Sequence, residues 1–197
     1  MNFKKIILAS QSPRRSQLLQ WAEIPFEIII SETDESYPGG LSPAEIAEHV
    51  AFNKAVAVSK KNTIGNTNAD DYPILAADTI VVLANKILGK PSSREEAINT
   101  LLLLSGKTHS VITGVCLMFK KNKKTFSEET LVTFHKLTQQ EIEHYVDTYH
   151  PYDKAGAYAI QEWIGVVGIE SVDGDFYNVM GLPVSRVVRE LEKMPVK

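Results

Sequence analysis

An α/β fold with a mixed, twisted sheet is what the sequence predicts, and three observations carry it. Short apolar runs of strand character recur along the 197 residues, at 5–9, 26–30, 73–83, 111–119 and 125–134. Stretches with helical spacing alternate with them, several opened by Ser or Thr followed three residues later by Glu, the capping-box pattern. One run, 73–83, is apolar at almost every position, which fits a strand buried on both faces. Strands mixed with helices in this way define the α/β class.

Taken in order, 5–9 reads as a short buried strand, and helical spacing follows through Leu18, Leu19 and Ala22. The run at 26–30 is a second strand. Ser42-Pro43-Ala44-Glu45 is a capping box with Pro at the first helical position, so a helix is expected over 43–59. Its core face carries Ala47, Val50, Ala51 and Ala55. Residues 60–71 are polar and read as an exposed loop. After the strand at 73–83, Asn85-Lys86 reads as a turn and Ile87-Leu88 as a short return strand. Ser92 and Ser93 precede Glu95 and Glu96 by three residues and open a helix that Gly106 stops. The strands at 111–119 and 125–134 flank a turn at 120–124 and form a long hairpin. Thr138-Gln139-Gln140-Glu141 caps a further helix, 150–161 has no clear period, 164–169 reads as a strand, and 184–194 as the last helix.

The totals narrow the function. A length of 197 residues suits one domain spanning 1–197, or two small lobes sharing a core. No apolar run approaches the roughly 20 residues that span a bilayer, so no membrane partner is expected. The apolar part of the N-terminus is too short for a signal peptide. The lone Cys116 excludes an internal disulfide and fits a reducing, cytoplasmic compartment. A net charge of −3 gives no basic footprint for nucleic acid, so any polyanion is small and held locally. The five histidines show no zinc spacing. Gly106-Lys107-Thr108 imitates the end of a P-loop, but position 101 is Leu and the order runs helix to strand, so that motif is rejected. Asp173-Gly174-Asp175 reads as a turn because the other ligands of a calcium loop are missing.

Five segments can carry chemistry. In Ser10-Gln11-Ser12-Pro13-Arg14-Arg15, Ser12 can cap a helix and Pro13 suits its first turn. Arg14 and Arg15 then sit at the end of the helix dipole that favours acids, a conflict a bound phosphate would resolve. An ordinary cap with two solvated arginines is the equal alternative. Asp78, inside Ala76-Ala77-Asp78-Thr79-Ile80-Val81, is an acid in an apolar strand. That placement is costly unless the carboxylate is paired, bonded to backbone or metal-bound. It is either a general base or metal ligand, or a structural carboxylate. Ser31-Glu32-Thr33-Asp34-Glu35 offers hard oxygens suited to Mg²⁺, or is a solvated acidic loop. Lys54 on its helix and Lys90 in Leu88-Gly89-Lys90-Pro91 are phosphate ligands or plain surface lysines. Asp153 through Gln161 combines small residues with Asp, Lys and Gln, which permits close backbone approach and polar contact to a nucleotide, or is a linker. Gly181-Leu182-Pro183 reads as a turn before the last helix.

In this order the segments resemble the Maf family of nucleoside triphosphate pyrophosphatases over nearly the whole chain. The resemblance runs through Leu8-Ala9-Ser10, Ser12-Pro13-Arg14-Arg15, Asp34-Glu35, Asn53-Lys54-Ala55, Ala77-Asp78-Thr79 and Gly89-Lys90-Pro91. It continues through Leu104-Ser105-Gly106 and Asp153 to Gln161, and ends at Gly181-Leu182-Pro183. It implies an inosine triphosphate pyrophosphatase-like fold with two lobes about a deep cleft, and Asp78 as proton acceptor. It also implies Ser10, Arg15, Lys54 and Lys90 as substrate ligands, with Glu35 and Asp78 holding a divalent cation, Mg²⁺ or Mn²⁺. Arg14, Thr79 and Gln161 resemble the trio of the branch acting on dTTP and UTP, so the expected partner is a small nucleotide. A homodimer is compatible with the resemblance. The chain departs from many relatives at Ala159 and at Glu162-Trp163, where Gly is common. The competing function is a non-catalytic nucleotide-binding regulator of cell division, which the retained Asp78 and Glu35 disfavour.

Overall fold

Strand β1 (Ile6–Leu8) is wholly buried, as its three aliphatic side chains require, and it is flanked by parallel neighbours on both edges. Ile6 pairs with Phe26 of β2 (Phe26–Ile28), and Ile7 with Ile74 of β5 (Ile74–Leu83). The computed structural model describes residues 5–61, 63–64, 67–68 and 71–194. Its main sheet has seven strands in the order β2-β1-β5-β7-β8-β9, with β6 (Lys86–Leu88) paired antiparallel to β5. The long strands are β7 (Thr108–Phe119) and β8 (Asn122–Phe134), and β9 (Ile169–Asp173) pairs antiparallel with β8. Parallel and antiparallel pairs together make the mixed α/β sheet that the sequence predicts. A separate antiparallel pair, β3 (Thr63–Ile64) with β4 (Thr67–Asn68), lies in the polar stretch expected to be a loop, part of which falls outside the described residues.

The chain divides into two compact units, and it passes between them four times. The first comprises Met1–Asp78, Thr113–Glu128 and Gly181–Lys197. It contains α1 (Pro13–Trp21), α2 (Pro43–Ser59) and α7 (Val184–Lys193). Helix α2 begins with both halves of its capping box in place: Glu45 N–H donates to Ser42 Oγ, and Ser42 N–H donates to the Glu45 carboxylate. Its buried face is made of small residues, with Ala51, Ala55 and Val58 packed against Ile7, Ile74, Ala76 and Cys116. Small side chains let the helix approach β7 so closely that a Cβ on Gly114 would lie 2.1 Å from the Ala47 carbonyl carbon.

The second unit comprises Thr79–Ile112 and Glu129–Met180. It contains α3 (Arg94–Leu104), α4 (Gln139–Tyr149), α5 (Trp163–Gly168) and α6 (Phe176–Val179). Arg94 grips the Asp147 carboxylate through two nitrogens, at 2.5 and 2.8 Å, joining α3 to α4. Two short 3₁₀ turns, Pro151–Asp153 and Ala155–Ala157, occupy the stretch without a period.

Several expectations are corrected here. The turn before β6 is Ala84-Asn85, both with positive φ (46° and 65°), the backbone of a tight two-residue hairpin. The β7–β8 hairpin is likewise tighter than expected, leaving only Lys120-Lys121 between strands. Ser93 caps α3, but the Glu96 carboxylate bonds Ser92 instead of the capping residue. Most of 164–169, read as a strand, is α5, and only Ile169 begins β9. A short run of Ile, Val and Gly fits either element by pattern alone. Backbone bonds decide it: Gly165 and Val166 N–H both donate to Glu162 C=O, at 2.9 and 3.3 Å.

Candidate active site

Beyond β1 the chain turns at Ala9 and Ser10 and enters α1 at Pro13. Ser12 stands at the N-cap, as the sequence predicts, but its side chain makes no capping bond. Its N–H instead donates to Ser10 Oγ at 3.2 Å. That oxygen also accepts from Arg15 Nη1 at 3.0 Å, while Arg15 Nε donates to Gly181 C=O at 2.8 Å. Arg15 is therefore buried and held at a fixed angle. Burial pushes its pKa down to about 10, with Asp78 and Glu35 opposing that shift and Arg14 adding to it. At neutral pH it remains a cation. No acid lies in the first turn of α1, so the half-buried Arg14, Arg15 and the N-terminal end of the helix dipole add as positive field.

Asp78 interrupts β5 where the burial pattern breaks, for it and Thr79 are the only two adjacent part-exposed residues among eight buried or edge positions. The cost of an acid there is met by Lys54 of α2, whose Nζ is 2.7 Å from Asp78 Oδ1. The same ammonium is 2.8 Å from Glu35 Oε1. Of the acidic cluster after β2, Glu35 thus reaches the site, whereas Asp34 turns back to accept from Ser36 N–H and Oγ. Those two bonds lower its pKa and make it a local turn residue.

Ser10, Arg15, Glu35, Lys54 and Asp78 therefore gather in the first unit. Lys90 and Gln161 belong to the second, both exposed, and Thr79 follows Asp78 directly along β5. Lys90 and Gln161 share one scaffold: Gly156 N–H donates to the carbonyl of Gly89 at 3.1 Å. Gly156 has φ +70°, and a Cβ there would lie 3.0 Å from the Val81 methyl groups, so this approach needs glycine. Sequence reasoning missed two features. One is the Gly181 carbonyl as the seat of Arg15, and the other is the burial of Lys154, which pairs with Asp153 and Glu162.

Among the described residues, no group of three or more His, Cys, Asp or Glu side chains could hold a metal. Two carboxylates, Asp78 and Glu35, do converge on one cationic point, now taken by the Lys54 ammonium. A pair of carboxylates fits Mg²⁺ chemistry, because that ion keeps several waters and draws the rest of its shell from substrate phosphates.

An α/β fold that gathers buried and half-buried cations and two carboxylates in one place belongs to the class of proteins suited to binding phosphate groups. The chain belongs to the Maf-like proteins, matching that family over residues 5–194. It is 50% identical over 189 residues to a dTTP/UTP pyrophosphatase of Parabacteroides distasonis, covering 95% of each chain. It is 48% identical over 193 residues to a dTTP/UTP pyrophosphatase of Bacillus cereus, covering 98% of this chain and 97% of the relative. A Staphylococcus aureus Ham1 protein aligns over 66% of this chain and 72% of its own with a TM-score of 0.45 and 15% identity, a likeness that decides nothing about the fold.

Proposed function

We propose that this chain is a nucleoside triphosphate pyrophosphatase that hydrolyses dTTP and UTP to the monophosphate and pyrophosphate. The observation that carries the reading is the Lys54 ammonium set between Asp78 and Glu35, in the same unit as the buried Arg15. The dTTP/UTP pyrophosphatases among its relatives, at about half identity over nearly full length, support the substrate.

Water attacks the α-phosphorus, the bond to the bridging oxygen of the β-phosphate breaks, and the departing group is pyrophosphate. Asp78 orients the water and takes its proton. Arg15, Lys54 and Lys90 neutralise charge that builds on the phosphates, the electrostatic task that dominates this chemistry. Lys54 is suited to it because its ammonium on a flexible stem can leave one carboxylate for an arriving phosphate. Asp78 and Glu35 would hold Mg²⁺ or Mn²⁺, which supplies Lewis-acid polarisation of phosphate oxygens when bound. Arg14, Thr79 and Gln161 bond the pyrimidine edge, and bases that leave those groups unpaired are rejected. The enzyme works in the cytoplasm, where Cys116, buried with its thiol pushed up to about 12, stays reduced and inert. Among the described residues no helix is long and apolar enough to cross a membrane. A homodimer rests on the family resemblance alone.

The test is a panel of nucleoside triphosphates with pyrophosphate and orthophosphate assayed separately. Pyrophosphate from dTTP and UTP, with much less from GTP, is expected. Asp78→Asn should lower turnover by about 10²–10⁴-fold with the fold intact by circular dichroism. Retained activity removes Asp78 from the chemistry. Nucleotide binding without pyrophosphate release from any substrate points instead to a nucleotide-binding regulator.

A further inference from the structure

We propose that Glu162, clamped between Tyr145 and Lys154, is a positioning residue that fixes Gln161 for reading the nucleobase, an inference that rests on the function proposed above. Gln161 is exposed at the tip of a tight turn closed by Glu162 N–H donating to Ala159 C=O at 3.1 Å. An exposed glutamine carries several free rotations, and ordering such a side chain on binding costs conformational entropy. A residue that discriminates between bases therefore needs a rigid base of attachment.

The structure supplies that rigidity on both sides of Gln161, through one phenol. Tyr145 Oη accepts from Ala159 N–H at 3.2 Å and donates to Glu162 Oε2, so a single side chain of α4 ties the two ends of the turn. Tyr145 is itself fully buried and stacked on Tyr149, with ring centroids 5.0 Å apart. The other carboxylate oxygen, Glu162 Oε1, is 3.4 Å from Lys154 Nζ. Lys154 is 7% exposed, and its second partner, Asp153 at 2.8 Å, lies on the solvent side with a side chain 60% exposed. Glu162, at 21%, is the inner counter-ion. The pair thus closes 154–162 into a ring of chain, within which Gly156 reaches Gly89 and Tyr158 Oη lies 2.7 Å from His109 Nε2.

Glu162 also starts α5, since its carbonyl accepts from Gly165 and Val166. A Cβ on Gly165 would fall 1.8 Å from Ile160 C=O, so the helix is pressed against the same turn. The backbone N–H, the carbonyl and both carboxylate oxygens of Glu162 are all engaged, one position after Gln161. Apolar packing would stabilise such a loop at least as well as a buried Lys–Glu pair, because desolvating two charges offsets most of their attraction. What the charged network adds is a unique geometry, and the residue it places is one of the three proposed above to bond the pyrimidine edge.

The experiment measures kcat and KM for dTTP, UTP and GTP with the wild-type chain, Glu162→Ala, Glu162→Gln, Tyr145→Phe and Gln161→Ala, with thermal melts alongside. Glu162→Ala and Tyr145→Phe are expected to lower kcat/KM for dTTP and UTP about tenfold, mainly through KM, and to leave GTP unchanged. Glu162→Gln keeps an acceptor for Tyr145 and should recover part of the loss. In the Gln161→Ala background, Glu162→Ala should change the dTTP-to-GTP ratio no further, the coupling expected of residues acting as a unit. An equal fall for all nucleotides, or a ratio that stays at the wild-type value, overturns the positioning role. If Tyr145→Phe does not fold, Glu162→Gln and the double variant decide alone. A wild-type chain with no preference for dTTP and UTP overturns the proposed base preference, and one that releases no pyrophosphate overturns the proposed function itself; a flat ratio in the variants does neither.

Discussion

His109 shows what a single residue can disclose. It lies on β7 at 2% exposure, stacked on Phe134 with centroids 5.6 Å apart, and among the described residues its Nδ1 has no hydrogen-bond partner. Burial alone pushes its pKa down to about 4, so it is neutral in the folded protein. Because the folded value is below the unfolded one, its contribution to stability is complete above about pH 6.5 and is lost as pH falls toward 4. The full loss is about 3 kcal/mol. His109→Gln, which keeps a polar partner for Tyr158, should flatten the dependence of unfolding free energy on pH between 7 and 5 relative to wild type. Parallel slopes for the two proteins would mean that the imidazole is protonated without unfolding. At this scale the sequence reveals a residue when its chemistry contradicts its surroundings. Asp78 is visible as an acid within an apolar strand, and the Arg14-Arg15 pair as cations at the wrong end of a helix. The anchors of those residues are not visible. Arg15 bonds a carbonyl 166 positions away, and Lys154 resembles any lysine in a polar loop until its burial is seen.

Among elements, those whose limits are written locally were legible. Helix α2 runs over Pro43–Ser59 as expected, and α4 opens on the Thr138–Glu141 capping box, because a cap is chemistry between neighbours. The 164–169 stretch is a helix where its pattern suggests a strand, because its apolar residues serve helix and strand equally and the bonds that choose between them start at Glu162, outside the run. Hairpin ends shifted for a related reason: Lys120 takes φ 54° and Ala84 φ 46°, conformations that neither residue advertises. The packing of α2 on β7 gives the sharpest test at this scale. Gly114 has ordinary negative φ, so the obstacle to a side chain is steric, with Ala47 and Glu48 backbone atoms within 2.3 Å of a Cβ. Gly114→Ala should cost about 3 kcal/mol and lower Tm by roughly 6–12 °C in a scan of the purified chain. An unchanged Tm would show that α2 backs away from the strand freely.

For the whole molecule, the governing feature is that the division into units falls inside strands. Strand β5 belongs to the first unit through Asp78 and to the second from Thr79, and β7 and β8 are divided in the same way. Melting one unit must therefore fray hydrogen-bonded strands that the other uses. Calorimetric and van't Hoff enthalpies of unfolding should agree, and far-ultraviolet and aromatic signals should report one midpoint. Two separated transitions would mean that the units are stable apart. The mixed sheet could be anticipated from the alternation of periods, and two lobes from the family resemblance, whereas the positions where the chain crosses could not, since no change in composition marks them. That interleaving also has a meaning for synthesis. A ribosome delivers the chain from the N-terminus, yet the unit that begins first needs α7 and the Gly181 carbonyl that seats Arg15. The second unit has all its residues once Met180 emerges; the first is still waiting for its final helix. The arginine of the site is translated long before the carbonyl that locks it in place, so a prematurely released chain has the residues of the phosphate site without its geometry.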